Sequence, residues 1–277
     1  MLRRPLSAIT LALICSLSFA QDDAPEPVPV DAEPFTLEAP CAAVPEADRY
    51  TSLVATFPEA GEPARPGEAG YQGLQADHAR GMAPGQAYLA PWVAEGADGG
   101  ALDMTEGASI AHFRAGPNLS SSRGMIEMWV RSPDGADIWS DGIGHRFFDA
   151  RARDRHNSRN VGLYKRPDGT LALYDTQYLS DDPSRTLVYD PGELDPSAWH
   201  HFAAGWDNVE GRLWLTVDGT GVTGAIEPSG VSLPFYVLFL GSSGHDAHWR
   251  QPLGGLLDSV RCSDVTPGER NRAADRS

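Results

Sequence analysis

The sequence predicts an all-β protein built as a two-sheet antiparallel sandwich. Three observations lead to this fold class. No helical period persists between residues 49 and 265, short β-like runs recur throughout, and Gly, Pro, Asp and Asn separate the runs. About 215 residues of this kind are enough for one domain with a substantial core. Short strands joined by tight turns are typical of antiparallel sandwiches.

Short runs with the composition of strands follow one another along the chain. Turn signals join neighbouring runs at RPDG, residues 166–169, and at DNVEG, residues 207–211. The predicted strands span residues 52–57, 108–113, 124–131, 144–150, 160–165, 170–175, 186–189, 199–206, 211–217, 235–240 and 256–262.

The segment WHHFAAGWDNVEGRLWLTVDGTG, residues 199–221, contains three tryptophans and two adjacent histidines. Because side chains alternate along a strand, His200 and His201 point to opposite faces and cannot share a metal ion. We interpret the segment as a hairpin whose aromatic side chains are mainly core rather than a chemical site. The residues expected on the buried faces are Phe202, Ala204, Trp206, Leu213, Leu215 and Val217.

Both ends of the chain differ in composition from the sandwich region. Residues 1–20 have two arginines, an apolar run and a Ser-Phe-Ala end, which predicts a secretory signal peptide cleaved after Ala20. A lipoprotein signal at Cys15 is the alternative. Residues 21–48 hold eight acids, six prolines and no basic residue, so we expect an acidic, proline-rich linker. Residues 266–277 are expected to be a frayed polar tail.

Charge and cysteine content limit where the mature protein works. The formal charge of −16 becomes −18 when Arg3 and Arg4 leave with the signal, which argues against nucleic acid or anionic lipid as a partner. The apolar run is too short to span a bilayer, so we expect no membrane insertion and a secreted or periplasmic location. Cys41 and Cys262 remain after cleavage and are predicted to pair; two free or intermolecular thiols are the alternative.

Six segments in order resemble the laminin-G-like, concanavalin A-like jelly-roll domains of secreted bacterial proteins. They are SLVATF, GGALDMTEGASIAHF, RGMIEMWVRSP, AWHHFAAGWDNVEGRLWLTVDG, LFLGSSG and LGGLLDSVRC, and together they cover residues 49–264. The resemblance implies that the first and last strands are neighbours, which agrees with the Cys41–Cys262 pairing. It also implies that Asp258 of the last strand contributes to a structural Ca²⁺ site. The alternative for Asp258 is hydrogen bonding to nearby backbone amides.

Enzyme chemistry is disfavoured by the same strands. Retaining glycoside hydrolases need two carboxyl groups roughly 5 Å apart, which on this fold resemble an E-x-D-x-E strand. The nearest strand here offers Glu127 alone, and the strand motifs of polysaccharide lyases are absent. We therefore expect a non-catalytic exported module that binds carbohydrate or another extracellular ligand, such as a protein. A protein-interaction domain of the cell envelope is the second hypothesis, and a hydrolase or lyase the third.

Candidate binding residues fall in three places. Residues 145–166 hold seven basic and two acidic residues, including Arg153 and Arg155, which suits an anionic group; a loop paired with the protein's own carboxylates is the alternative. His245 and His248, with Asp246 between them, form a weak transition-metal candidate. Aromatic residues in loop-like contexts are candidates for stacking on sugar rings. They are Trp139, Tyr178 and Trp249.

Overall fold

The computed structural model describes residues 30–37, 50–57, 71–74, 76–81, 84–97, 99–153, 158–176, 182–229, 233–242 and 252–274. These residues form two antiparallel sheets that pack face to face around one core, as the sequence predicts. The architecture is a jelly-roll sandwich. Among the described residues, no helix has the length and apolar character needed to cross a membrane.

Sheet A contains ten strands within the described ranges. Its main path, in spatial order, is β1 (Ala32–Thr36), β16 (Thr220–Ala225), β15 (Arg212–Val217), β14 (His200–Asp207), β9 (Arg123–Arg131), β18 (Leu256–Ser263), β2 (Thr51–Ala55) and β4 (His78–Ala79). Off this path, β7 (Ala101–Asp103) pairs with β18 and with β6 (Trp92–Val93).

Sheet B contains eight strands within the same ranges. Their spatial order is β13 (Thr186–Tyr189), β12 (Leu171–Thr176), β11 (Ser158–Lys165), β10 (His145–Arg153), β17 (Phe235–Leu240), β8 (Ile110–Arg114), β5 (Gly85–Tyr88) and β3 (Tyr71–Leu74).

The core lies between the sheets and is filled by alternate residues of their strands. The faces predicted for the 199–217 hairpin are confirmed, because all six apolar residues expected inside belong to the core. Trp206 is completely buried and packs edge-on against Phe235 of the other sheet. Trp214 points to the opposite side of sheet A and is also buried. The tryptophans of this hairpin are therefore chiefly structural.

All eleven predicted runs are strands, but the sheets contain further strands that the pattern does not reveal. β16 has the sequence TGVTGA, in which two glycines and two threonines interrupt any apolar alternation. At Gly221, an added Cβ would lie 1.9 Å from the carbonyl oxygen of Leu215, so the glycine allows close backbone approach. The glycines that hide this strand from the sequence pattern are the residues that let it pack closely against its neighbour.

Two elements differ from the expectations for the chain ends. β1 lies inside the segment predicted as linker and pairs with β16 along five residues. The segment expected to be a frayed tail contains a helix, α1 (Pro267–Ala274), which corrects that expectation. Thr266 and Glu269 explain the helix start: the Thr266 amide donates to Glu269 Oε2 and the Glu269 amide to Thr266 Oγ1.

The first and last of the predicted strands are neighbours, as expected, since β2 pairs with β18. Cys262 in β18 is buried between the sheets, and burial raises the pKa of its thiol. Cys41 lies outside the described residues, as does the predicted signal peptide. The Cys41–Cys262 disulfide therefore stays a prediction.

Candidate functional site

A cleft of about 550 Å³ opens at the end of the sandwich where β9 finishes. Three connecting segments line it: the β9–β10 loop, the β11–β12 hairpin, and the loop after β13. Each contributes acidic side chains, so we call it the acidic cleft. The carboxylates that line it are Asp137, Asp168, Asp190 and Glu193.

These carboxylates also shape the loops that carry them. Asp168 Oδ1 accepts hydrogen bonds from the amide and hydroxyl of Thr170, which lower the pKa of this exposed carboxyl. Gly169 follows with a φ of 88°, the left-handed conformation that the tight hairpin requires. Asp190 Oδ1 accepts from the amide of Gly192. In both residues these bonds engage Oδ1 and fix the turn that carries the carboxylate.

Trp139 lies in the wall of the acidic cleft, but it is 7 % exposed rather than an open stacking platform. Its ring packs against Phe147 and Phe202, with centroid distances of 6.3 and 5.7 Å. The expectation of an exposed aromatic is therefore wrong for this residue, because the tryptophan closes the end of the core. Within the described part of the chain, the buried Trp139 Nε1 has no hydrogen-bond acceptor.

A buried polar group supports the floor of the cleft. Lys165, the one lysine of the chain, is 1 % exposed and donates to Asp141 Oδ1 at 3.0 Å and to the Trp139 carbonyl at 3.3 Å. Asp141 also contacts His145 Nε2 at 2.6 Å. Burial raises the pKa of Asp141, but the Ile143 amide, His145 and Lys165 outweigh it and hold the pKa below its usual value.

His200 stands behind Trp139 and confirms the predicted divergence of the two histidines. Its ring contacts the Trp139 indole edge-on at 5.7 Å, and its Nδ1 lies 2.7 Å from Asp218 Oδ2. Burial lowers the pKa of His200, but bonds to Asp218 and to the Asp195 carbonyl outweigh it and raise the pKa. His201 points to the other side of sheet A, where Nε2 lies 3.5 Å from Glu127.

The outward face of sheet B holds a second polar group, the tyrosine–arginine cluster of Arg146, Asp149, Arg151, Tyr164 and Tyr174. The Arg146 guanidinium carbon lies 4.9 and 5.2 Å from the centroids of the Tyr164 and Tyr174 rings. Arg151 donates to Asp149 through Nε at 2.8 Å, and Tyr174 donates to Asp149 at 3.2 Å. Burial raises the pKa of Asp149 and the arginines oppose this effect.

Sequence reasoning singled out the basic segment but not this cluster. The signal was present in the alternation of β10, where Phe148 and Ala150 face the core and Asp149 and Arg151 face away from it. Three basic side chains of the segment, Arg151, Arg159 and Lys165, pair with the protein's own acids, whereas Arg146 and Arg166 contact tyrosines. Arg159, for example, donates to both oxygens of the buried Asp175.

Glu127 and Asp258 are both fully buried in sheet A. Glu127 Oε2 accepts from Arg261 at 2.8 Å and from Arg270 of α1 at 2.7 Å. Asp258 Oδ2 accepts from the Ala97 amide at 2.8 Å, which is the alternative role considered for it. No cluster of three or more His, Cys, Asp or Glu side chains suited to a metal ion occurs in the ranges that the structure describes.

Several candidate residues lie outside the described residues. For Arg153 the structure gives the backbone alone, at the end of β10. The ligand-binding expectation for these positions stays a prediction. The residues beyond the described ranges are Arg155, Tyr178, His245, Asp246, His248 and Trp249.

Comparisons with known proteins bear on the fold. No protein-family model matches the chain, and no curated protein matches it. A Trypanosoma rangeli sialidase in complex with 2,3-difluorosialic acid matches with a TM-score of 0.54 and 10 % identity, over 84 % of this chain and 35 % of the sialidase. The ligand-binding domain of botulinum neurotoxin serotype D, in complex with N-acetylneuraminic acid, matches with a TM-score of 0.50 and 10 % identity, over 82 % and 51 %.

A third structure, domain 4 of an extracellular arabinanase from Geobacillus stearothermophilus with arabinotriose, is 18 % identical. It covers 81 % of this chain and 98 % of that domain with a TM-score of 0.46. The chain thus spans about a third of the sialidase and half of the neurotoxin domain. At 10 % identity, these two likenesses establish the jelly-roll fold.

Proposed function

We propose that this protein is a non-catalytic, exported recognition module that binds carbohydrate in the acidic cleft. The observation that carries the proposal is the buried Trp139 Nε1, which lacks an acceptor among the described residues and belongs to a residue that lines the cleft of about 550 Å³. A buried donor without an acceptor is costly, and a ligand oxygen would satisfy it.

The chemistry of the cleft suits a polyhydroxylated ligand without negative charge. Carboxylates such as Asp190 and Glu193 accept hydrogen bonds from sugar hydroxyls, while Trp139 Nε1 donates to a hydroxyl or ring oxygen. Leu194 and the neighbouring prolines provide apolar surface for the ring carbons. The volume lies within the range of small-ligand pockets. An acidic sugar is repelled by four like charges at the rim.

The fold likeness does not select the ligand, since the sugars named for the matched sialidase and neurotoxin structures are acidic, whereas the cleft suits a neutral one. Because the identities are 10 %, the proposal rests on the cleft and not on those ligands. The finer relationship to laminin-G-like, concanavalin A-like domains belongs to the same proposal and rests on the six sequence segments.

The absence of catalysis is part of the proposal. Glu127, the strand carboxylate considered for hydrolysis, is buried beneath α1 and bonded to two arginines. On the outward face of sheet B, Asp149 is the one acid that the described strands present, and Arg151 holds it. A hydrolase mechanism on this fold needs a second carboxyl group near the first.

The test is a glycan array followed by titration of the best neutral sugar, using the wild type and Trp139→Phe. Phenylalanine keeps the ring in the core and removes the N–H. We expect sugar affinity to fall about tenfold at a temperature where both proteins are folded. The smaller ring leaves a cavity in the core, so the unfolding midpoint is also expected to fall. Trp129→Phe on the outer side of sheet A is the matched control. Equal affinity of wild type and Trp139→Phe contradicts the proposal.

A structural Ca²⁺ ion at Asp258 stays a separate prediction of the resemblance. The residues described around Asp258 offer one carboxylate already bonded to an amide, which is fewer oxygen ligands than Ca²⁺ prefers. Adding excess chelator and following the thermal midpoint decides the matter. An unchanged midpoint rejects the ion.

A further inference from the structure

A second, narrower pocket of about 300 Å³ lies where β9 begins, and it carries a different set of side chains. Its charged and amide side chains come from four places in the chain: Arg80 after β4, Asn118 in the turn before β9, Arg123 at the start of β9, and Asp264 after β18. Two serines, Ser120 and Ser263, also line it. We call it the arginine pocket. None of these residues belongs to the acidic cleft.

Asn118 provides the main evidence that this pocket binds a ligand. It is 2 % exposed and lines the arginine pocket, and its Oδ1 accepts from the Gly81 amide at 3.2 Å. Its Nδ2 has no hydrogen-bond partner among the described residues. The bond to Gly81 fixes which end of the amide is oxygen, so the unpaired end is a donor of two hydrogens. A buried amide donor of this kind requires an acceptor.

Arg123 supplies further donors at the same pocket. Its Nη1 donates to Glu269 Oε1 at 3.1 Å, and half of its side chain is exposed. A guanidinium has five N–H donors, so donors remain for a planar acceptor pair such as a carboxylate. Arg80 bonds to Asp264 on the opposite side of the pocket. The remaining acceptor capacity of Asp264 suits ligand hydroxyls.

The apolar walls suit a ring. Pro117, Leu119 and Pro234 line the pocket between the polar groups. Gly81 allows this wall to form, because a Cβ at that position would lie 2.0 Å from Pro117 Cγ. The pocket thus joins a donor pair, an apolar wall and one carboxylate in a space at the lower end of the range for small ligands.

We infer that the arginine pocket binds a carboxylate-bearing monosaccharide of the uronic acid class. The ligand carboxylate accepts from Asn118 Nδ2 and the Arg123 guanidinium, the ring packs on Pro117 and Pro234, and a hydroxyl donates to Asp264. This site is independent of the acidic cleft, whose carboxylates exclude the same ligand.

The experiment is an NMR titration of the mature chain with glucuronate and, separately, with glucose as its neutral counterpart. Glucuronate is expected to saturate and to shift the Asn118 side-chain amide signals, and glucose is not. Asn118→Asp keeps the shape and turns the donor into an acceptor, so we expect at least about tenfold weaker glucuronate binding. Arg123→Gln removes the guanidinium from a half-exposed side chain and is also expected to weaken glucuronate binding.

Two variants complete the test. Arg212→Gln removes a half-exposed arginine outside the pocket and leaves glucuronate affinity unchanged. Trp139→Phe weakens neutral-sugar binding in the acidic cleft and also leaves glucuronate affinity unchanged, which separates this inference from the proposed function. Three results would overturn the inference: glucose shifting the Asn118 side-chain signals as strongly as glucuronate does, titration by glucuronate that does not saturate, or unchanged affinity in both pocket variants.

Discussion

The acidic cleft and the arginine pocket lie at the two ends of the same strand, β9, and differ in almost every property that selects a ligand. The cleft has four carboxylates at its rim and a core tryptophan in its wall. The pocket has two arginines, a buried amide and a wall formed by a turn. The strands form the scaffold of both sites, and the connecting segments supply most of the charged side chains. The connecting segments therefore determine whether each end of the sandwich binds a neutral or an anionic ligand.

The largest expected difference between the two sites concerns stability. Trp139→Ala removes a buried ring from the core and is expected to lower the free energy of unfolding by about 3–5 kcal/mol. Asn118→Ala removes one hydrogen bond to Gly81 and an unsatisfied donor, and is expected to cost about 1 kcal/mol or less. Urea unfolding of both variants measures the contrast. Equal losses would show that the cleft wall is not part of the core.

Reversing one charge in the acidic cleft tests whether its carboxylates determine which sugars bind there. Glu193→Lys replaces one of four rim carboxylates by a cation and is expected to raise glucuronate affinity for the cleft a few-fold. The measurement uses an Asn118→Asp background, in which glucuronate binding at the arginine pocket is weakened. Glu210→Lys, at the exposed β14–β15 turn, is the matched control. The same gain from both lysines would contradict selection by the rim.

The smallest expected effect is a pH dependence found at the cleft end alone. His200 has a raised pKa, so its bond to Asp218 stabilises the fold below the unfolded value of 6.5, and this contribution is lost as the pH rises through the folded pKa. Asp218 has a lowered pKa, so its contribution is present above 3.8 and is lost as the pH falls through its folded pKa. The pair stabilises most between these two values.

The check is the difference in unfolding free energy between the wild type and Asp218→Asn at several pH values. Because Asp218 is half exposed, we expect at most about 1 kcal/mol, largest between pH 4 and 6.5. Asp264→Asn in the arginine pocket, whose lining has no histidine, should give a constant difference between pH 6 and 8. A constant difference for Asp218→Asn over that interval would contradict the role of His200.

Much of the fold was predictable because burial on one face leaves a period of two in the sequence. The hairpin of β14 and β15 shows this directly: its apolar residues were assigned to the correct faces from alternation alone. β16 could not be found in this way, since Gly221 allows close approach of the backbone and Gly224 leaves room for neighbouring side chains, so neither adds to an apolar face. α1 was missed because eight residues with little apolar character depend on a cap and on packing to be helical.

The sites were less predictable than the strands. Trp139 was selected from its loop-like context, yet its indole proved to be part of the core. Asn118 and Glu193 carry no local signal, because their neighbours in space come from distant parts of the chain. Arg151 and Arg159 lay in the basic segment, but the acids that bind them, Asp149 and Asp175, became evident through the pairing of strands.

The ion pairs beneath α1 determine where the chain can be truncated without loss of stability. Glu127 sits in a sheet from which water is excluded, and one of the arginines that neutralise it, Arg270, arrives from the last described helix. Ending the chain at Asp264 would remove that cation and uncover Trp214 and the acid together. Truncation of the polar C-terminal segment would therefore destabilise sheet A and expose an apolar surface prone to aggregation.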